Sequence, residues 1–514
     1  MTERVVIVGA GMGGLVSALL LAHRGVEVVV VESHATAGGK IHTMNTGTAV
    51  VDAGPTVMTM RWVFDDIMRS VGTQLDKELH LTPLTVLARH FWPDGSHMDL
   101  CADPEESEAE VERLAGSMEA ARFRRFCARA RALHDSLEGP FMRGDTPHMA
   151  RLMAQLGPSG LAQLTQLGPM RSLWQQLMRE FNDPRLRQLF GRYATYCGSS
   201  PWEAPATLML IAQVEMDGVW SIDGGMQTLA EVLVWLAQQR GARFVFGQKC
   251  EEIVVRQDEV YGVRLASGEL LAASAVIYNG EVGALRMGAL GRSVQRAVPS
   301  QKPPPSLSAL TWGLHTPRQD LALDRHNVFF QDDYASEFED IFDAQRLPRT
   351  PTVYVCAQDR PQADLQEPRE RLFCLVNAPA WGDQPADPGE IDQCEQTSFE
   401  FLQRMGLNLH QAARTRTTPQ QFHQRFPHSA GALYGQATHG WMSIFSRPGA
   451  RTPVKGLYLA GGGVHPGPGV PMAALSGIKA AEAVLANLAS TSRSRVAATS
   501  GGMSTRSATT GSSA

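Results

Sequence analysis

Apolar and polar positions divide the chain into elements from its first residues. Arg4–Val8 is a short, nearly all-apolar run, which predicts a strand buried on both faces. Leu15–Ala22 is apolar over a helical length, and His23-Arg24-Gly25 supplies the basic last turn and the glycine that stop a helix. Glu27–Val31 is a second β-branched run, ending at Glu32, so the first 32 residues read as a βαβ unit. Val86–Trp92 and His97–Leu100 read as extended segments joined by the turn Pro93-Asp94-Gly95. Residues 103–119 are acidic, and 120–200 look helical, with apolar stretches at Leu152–Leu156 and Leu173–Met178. From Arg243 to Tyr278 several β-like runs are separated by turns such as Ser267-Gly268. The last of them, Ala275–Tyr278, is predicted to return to the first sheet. Pro303-Pro304-Pro305 marks a boundary, and 306–425 mix short strands with loops. Gly456–Ala460, the glycines Gly461 to Gly463 and an apolar run over 472–488 predict a closing strand, loop and helix. After Ser490 the Ser/Thr/Ala/Gly-rich tail predicts disorder over 490–514.

Composition narrows the classes. The chain has 514 residues, 43% hydrophobic and 19% charged, which suits a packed globular protein with a sizeable core. The net charge of −5 offers nucleic acid no basic field. Charge is uneven, however: residues 120–200 hold twelve arginines, no lysine and five acids. Seven scattered cysteines form no CxxC pair, so neither a disulfide framework nor a zinc site is predicted, and no metal ligand set is evident. The longest apolar runs fall short of a membrane span. Glu3 precedes an apolar run too short for a secretion signal, so a cytoplasmic location is expected.

Chemistry concentrates in glycine-rich turns. Gly9, Gly11 and Gly14 fit GxGxxG between a strand and a helix, with Gly13 adding a further small residue. Such a turn lets a pyrophosphate reach the backbone and the positive end of the helix. Glu32, eighteen residues beyond Gly14 at a strand end, is placed to accept hydrogen bonds from a ribose diol. This motif alone leaves NAD and FAD open.

The following residues favour FAD. Ala37-Gly38-Gly39-Lys40 resembles the glycine-pair extension of the flavin-containing amine oxidase and carotenoid desaturase superfamily. There the closing cation serves the pyrophosphate; Lys40 keeps the charge without the fork of the commoner arginine. Asp52-Ala53-Gly54-Pro55-Thr56 resembles the superfamily segment that runs beside the flavin ring. Leu457–Ala473, containing Gly462, Gly463, His465, Val470 and Met472, resembles its closing flavin motif. Many relatives carry an acid in that loop for the ribityl chain, and Gly462-Gly463 supply none. The strand around Cys250 matches one whose backbone contacts adenine in relatives. The resemblance implies an α/β fold: a Rossmann-type FAD-binding domain with an interleaved α+β substrate domain. Residues 1–80, 221–295 and 426–489 fall to the first domain, and 81–220 and 296–425 to the second.

Within the superfamily, the Asp52 segment and His465-Pro-Gly-Pro-Gly469 resemble the phytoene-desaturase-like branch. Gly54–Phe64, Gly198–Pro205 and Glu215–Val219 resemble its hydroxyneurosporene (1-hydroxycarotenoid 3,4-) desaturases. The resemblance implies hydride transfer from an acyclic hydroxylated carotenoid to FAD, followed by proton loss from the adjacent carbon. It implies a peripheral membrane contact, for which the arginine-rich 120–200 segment, including Arg122, Arg124 and Arg125, is the candidate. The electron acceptor stays open among oxygen, a quinone and NAD. No motif marks a catalytic base, and His465 reads as structural. Arg61, Trp62 and Phe64 are candidates for the substrate tunnel or for reading the hydroxyl. Alternatives are phytoene desaturation or another reaction of this branch, an amine or porphyrinogen oxidase, and a non-redox prenyl-chain carrier.

Overall fold

The computed structural model describes residues 4–144, 170–360, 367–385 and 387–500, with side chains described up to 490. The apolar stretch at 152–156 lies outside the described residues. A five-stranded parallel sheet runs in the order Leu457–Leu459, Ala275–Tyr278, Arg4–Val8, Glu27–Val31, Arg243–Val245. Ala275–Tyr278 does return beside the first strand, in register Val5 to Ala275. Side chains alternate between the two faces, as the pleat requires. Val5, Ile7, Val28, Val30, Ala275 and Ile277 join one core with the helices Met12–His23, Met226–Gln239 and Val470–Ser500. Val6, Val8, Val29, Val31, Val276 and Tyr278 join another core beneath an antiparallel sheet of Cys250–Arg256, Glu259–Leu265 and Leu270–Ala272. Burial on both faces explains why these strands are apolar throughout.

A second, seven-stranded sheet runs Ala413–Thr417, Ser308–Pro317, Arg369–Ala378, Val353–Ala357, His326–Phe329, Val86–Phe91, His97–Cys101. Its pairs are antiparallel except that His326–Phe329 lies parallel to Val86–Phe91. Val353, Val355, Leu372 and Cys374 face one way, into a core shared with the helix Pro388–Arg404. Tyr354, Cys356, Phe373 and Val328 face the other, toward an aromatic core of Phe123, Phe126, Phe181 and Phe190 on the helices Ser117–Leu137, Leu173–Glu180 and Pro184–Gly191. The sequence reading of 306–425 as short strands with loops is corrected here. Two ten-residue strands and a seventeen-residue helix occupy much of it.

Two further differences concern the C-terminal end. The closing helix runs to Ser500, past the point where the tail was expected to lose structure; residues 501–514 lie outside the described residues. Its Val470–Ser490 stretch is also apolar and long enough to cross a membrane by length and composition, where the apolar runs had suggested none. It packs as a core helix against the first helix, where Ser17 Oγ donates to the Gly477 carbonyl at 2.9 Å.

Candidate active site

The two glycine-rich turns, some 450 residues apart in sequence, meet in space. A Cβ at Gly13 would lie 2.7 Å from the Gly461 nitrogen, and one at Gly14 would overlap the Gly9 carbonyl oxygen. Only glycine permits that approach. Asn279, the first residue after the strand Ala275–Tyr278, locks the junction. Its Nδ2 donates to the Gly9 carbonyl at 3.2 Å, and it borders Gly11, Gly13, Gly14 and Gly461. The sequence reading missed Asn279; a polar residue closing an otherwise buried strand was the available signal. Gly38 joins the same junction by donating its N–H to Ala10, and Gly39 lies against Gly11.

The first helix starts at Met12 with no side-chain cap and no acid in its first turn. Its free N–H groups and positive dipole end are left for an anion. Glu32 is buried, and its carboxylate accepts from the Ala10 N–H at 2.7 Å and the His34 N–H at 2.8 Å. A carboxylate has about four lone-pair sites, so acceptor capacity for a ribose hydroxyl survives. Cys250 is buried nearby on the strand that begins just after Gln248, whose N–H donates to the Glu32 carbonyl. Lys40 behaves differently from the expectation of a free pyrophosphate cation. Its ammonium pairs with Glu281 at 2.8 Å and donates to the Leu433 carbonyl at 2.8 Å.

In the closing loop, Gly462 and Gly463 are partly open, and Val470 starts the helix with Met472 in its first turn. Arg447 staples the loop. Its guanidinium donates to the carbonyls of Gly462 and Tyr434, each at 3.2 Å, and of Gln436 at 2.9 Å. Burial draws its pKa down to about 10. His465 sits against the Phe141 carbonyl at 2.9 Å with its ring edge-on to Phe141, a packing role as expected.

The segment 52–56 connects both halves. Asp52 accepts from the Met226 N–H at 2.6 Å and so anchors the start of that helix; Gln358 clamps the Asp52 backbone from the second sheet. Gly54 packs on the Lys40 carbonyl, and Pro55 leads to Thr56, which is buried. Thr56 Oγ1 is 2.6 Å from the Tyr354 hydroxyl, which is 2.7 Å from His326 Nδ1. Burial holds the His326 imidazole neutral, with its pKa lowered to about 3. Above Tyr354 stands the guanidinium of Arg192, 5.1 Å from the ring centre. Tyr193 donates to Glu215 at 2.7 Å, and burial raises that carboxyl's pKa to about 6. Thr56 and Glu215 lie in segments singled out from sequence, whereas no motif announced Arg192 or Tyr354.

The tunnel candidates from sequence have the following surroundings. Arg61 pairs with Asp65 and Asp76 near the surface, Trp62 stacks under Arg143, and Phe64 is fully buried in the core of the first sheet. The arginine-rich segment is partly neutralised: Arg122 pairs with Glu119, Arg124 with Glu108 and Arg129 with Glu180.

An uncapped helix start, a carboxylate at the neighbouring strand end and a second glycine loop in contact with the first fit an FAD laid across the parallel sheet. In agreement, residues 12–485 match the model of the flavin containing amine oxidoreductases, and the chain belongs to that family. It is an FAD-dependent oxidoreductase. The chain is 53% identical to the hydroxyneurosporene desaturase of Rubrivivax gelatinosus, over 99% of this chain and 98% of the relative. It is 44% identical to the hydroxyneurosporene desaturase of Cereibacter sphaeroides, over 95% and 99% respectively. A solved putrescine oxidase bound to putrescine shares the fold, with a TM-score of 0.61 and 16% identity over 95% of this chain and 99% of that one.

Proposed function

We propose that the protein introduces a double bond into an acyclic hydroxylated carotenoid, in the manner of a 3,4-desaturation next to a 1-hydroxyl group. The observation that carries this reading is the identity to hydroxyneurosporene desaturases over nearly the whole of both chains. The putrescine oxidase likeness concerns the scaffold and sets no substrate. FAD, when bound, accepts the hydride that leaves the carbon beside the polyene. Gly9, Gly11, Gly13, Gly14, Glu32, Gly38, Gly39 and Cys250 would hold its nucleotide half. Gly54, Pro55, Thr56, Gly462, Gly463, Val470 and Met472 would border its ring. The start of the closing helix aims a positive dipole end at that place, which favours negative charge there. The apolar and aromatic face of the second sheet excludes water and aligns a rigid rod-shaped substrate. Proton loss beside a delocalised cation needs no strong base, in keeping with the neutral, buried His326 and His90.

The two domains assigned from sequence belong to the same proposal. All five parallel strands come from 1–80, 221–295 and 426–489, and all seven of the second sheet from 81–220 and 296–425. Peripheral membrane contact follows from a lipid-dissolved substrate, and Trp441 and Met442, 38% and 49% exposed on one loop, suit it. The acceptor that reoxidises the enzyme is oxygen, a quinone or NAD. Incubating the holoenzyme in liposomes with 1-hydroxyneurosporene, neurosporene and phytoene, and reading product spectra, tests the reading. Conversion of the hydroxylated compound supports it; conversion of phytoene alone overturns it.

A further inference from the structure

A desaturase that prefers a hydroxylated polyene needs a buried polar partner for one oxygen in an otherwise greasy site. Arg61, one of the candidates from sequence, is occupied by Asp65 and Asp76. Arg192 is not so occupied. It is partly buried, as are Tyr196 and Cys197 beside it. The phenol rings of Tyr354 and Tyr196 lie 5.1 Å and 5.9 Å from the Arg192 guanidinium, and the Glu215 and Glu337 carboxyls are near enough to feel its charge. Among the described residues its Nε has no hydrogen-bond partner, nor have the Tyr334 hydroxyl and His326 Nε2, all three buried. Unmet donors in a desolvated place are costly unless a ligand meets them.

The position matches the chemistry. One route from Arg192 runs over Tyr354 to Thr56, in the segment beside the proposed flavin ring. The other runs along the chain to Gly198, which packs on Tyr434, whose carbonyl is tied through Arg447 to Gly462 in the closing loop. Arg192 is therefore linked through packed side chains to both segments proposed to border the ring. A hydroxyl on C1 is only two carbon–carbon bonds from C3, so its partner must lie beside the reacting bond. A fixed cation directly under the carbon that loses hydride would oppose the developing positive charge. It is tolerated where it donates to an oxygen instead.

We propose that Arg192, set by Tyr196 and Tyr354, is the residue that reads the tertiary hydroxyl of the substrate and so fixes which bond lies over the flavin. This rests on the functional reading above. The test compares holoenzyme variants Arg192→Met, Arg192→Lys and Tyr354→Phe in phosphatidylcholine vesicles loaded with 1-hydroxyneurosporene or neurosporene. FAD content and melting temperature are measured alongside. In Arg192→Met, kcat/KM for the hydroxylated substrate is expected to fall by about 100-fold while that for neurosporene changes little, so the preference collapses. Arg192→Lys is expected to restore part of the preference. If Arg192→Met fails to fold, Tyr354→Phe, which keeps the ring but unties it from Thr56 and His326, is expected to lower the same ratio. An equal fall for both substrates, or an unchanged ratio, overturns the assignment. Wild-type enzyme that desaturates both compounds equally well overturns the assignment but leaves carotenoid desaturation standing. Wild-type enzyme that converts neither refutes the functional reading itself.

Discussion

On the proposed reading, the nucleotide half and the substrate half of this molecule recognise their ligands by opposite means. Around the parallel sheet, recognition is written in backbone: Gly13 and Gly461 in contact, Asn279 bracing the junction, an uncapped helix start, and one carboxylate, Glu32. On the inner face of the seven-stranded sheet it is written in side chains, with Thr56, Arg192, Tyr196, His326 and Tyr354 converging in an aromatic core. A shared cofactor tolerates little variation, so its site rests on missing side chains. A particular substrate is chosen by placing a few costly polar groups where water cannot reach.

The contrast breaks most visibly at Gly14. In Gly14→Val the new Cβ meets the Gly9 carbonyl, so the purified protein is expected to carry less than about a tenth of the wild-type FAD, read by flavin absorbance. Full FAD content would show that the turn does not hold the cofactor. Glu32→Ala removes an acceptor of two backbone N–H groups. FAD affinity is expected to fall by roughly 10- to 100-fold, from the about 1.5–3 kcal/mol of a charged hydrogen bond. Titration of apoprotein with FAD measures it, and substrate preference is expected to stay as it was.

Acid sensitivity separates the halves more finely. Burial lowers the pKa of His90 and His326, both in the seven-stranded sheet, from 6.5 to about 3. Between those values the unfolded chain takes up protons that the folded one refuses, so stability falls as pH drops below about 6.5. Glu215, raised from 4.5 to about 6, acts in the other direction between those two values. His90 stacks between Trp92 and Phe330, so His90→Phe fits the site. It is expected to reduce the acid loss by about 1.4 kcal/mol per pH unit, measured by urea unfolding across pH 4–6. An unchanged slope would mean that His90 titrates normally. The smallest effect is expected at Arg61→Gln, which removes surface ion pairs worth less than about 1 kcal/mol and leaves substrate preference intact. A changed preference there would assign the hydroxyl to Arg61, one of the candidates from sequence, instead.

Legibility in the sequence follows the same division. Gly9 to Glu32 lie close in sequence, and their spacing is imposed by one strand, one turn and one helix, so motif and fold are read together. Gly461 to Val470 repeat that local logic. Asn279 carries no motif because it acts on Gly9, 270 residues away, and Arg447 because it braces carbonyls 11 to 15 residues from it, across irregular loops with no repeating spacing. Arg192, Tyr354 and Thr56 meet only once the seven-stranded sheet has formed, and its two ten-residue strands were themselves hidden within 306–425. Lys40 shows that a motif position fixes a residue's place but not its partner, since Glu281 takes up its charge.

The central claim is that both halves serve one bound FAD between them. Anaerobic single-turnover incubation of holoenzyme with 1-hydroxyneurosporene in vesicles, followed by chromatography of the pigment, tests it most directly. The account predicts one new double bond per bound FAD, with no conversion by FAD-free protein. Equal conversion without FAD, or an unchanged pigment in the presence of fully loaded enzyme, would contradict it.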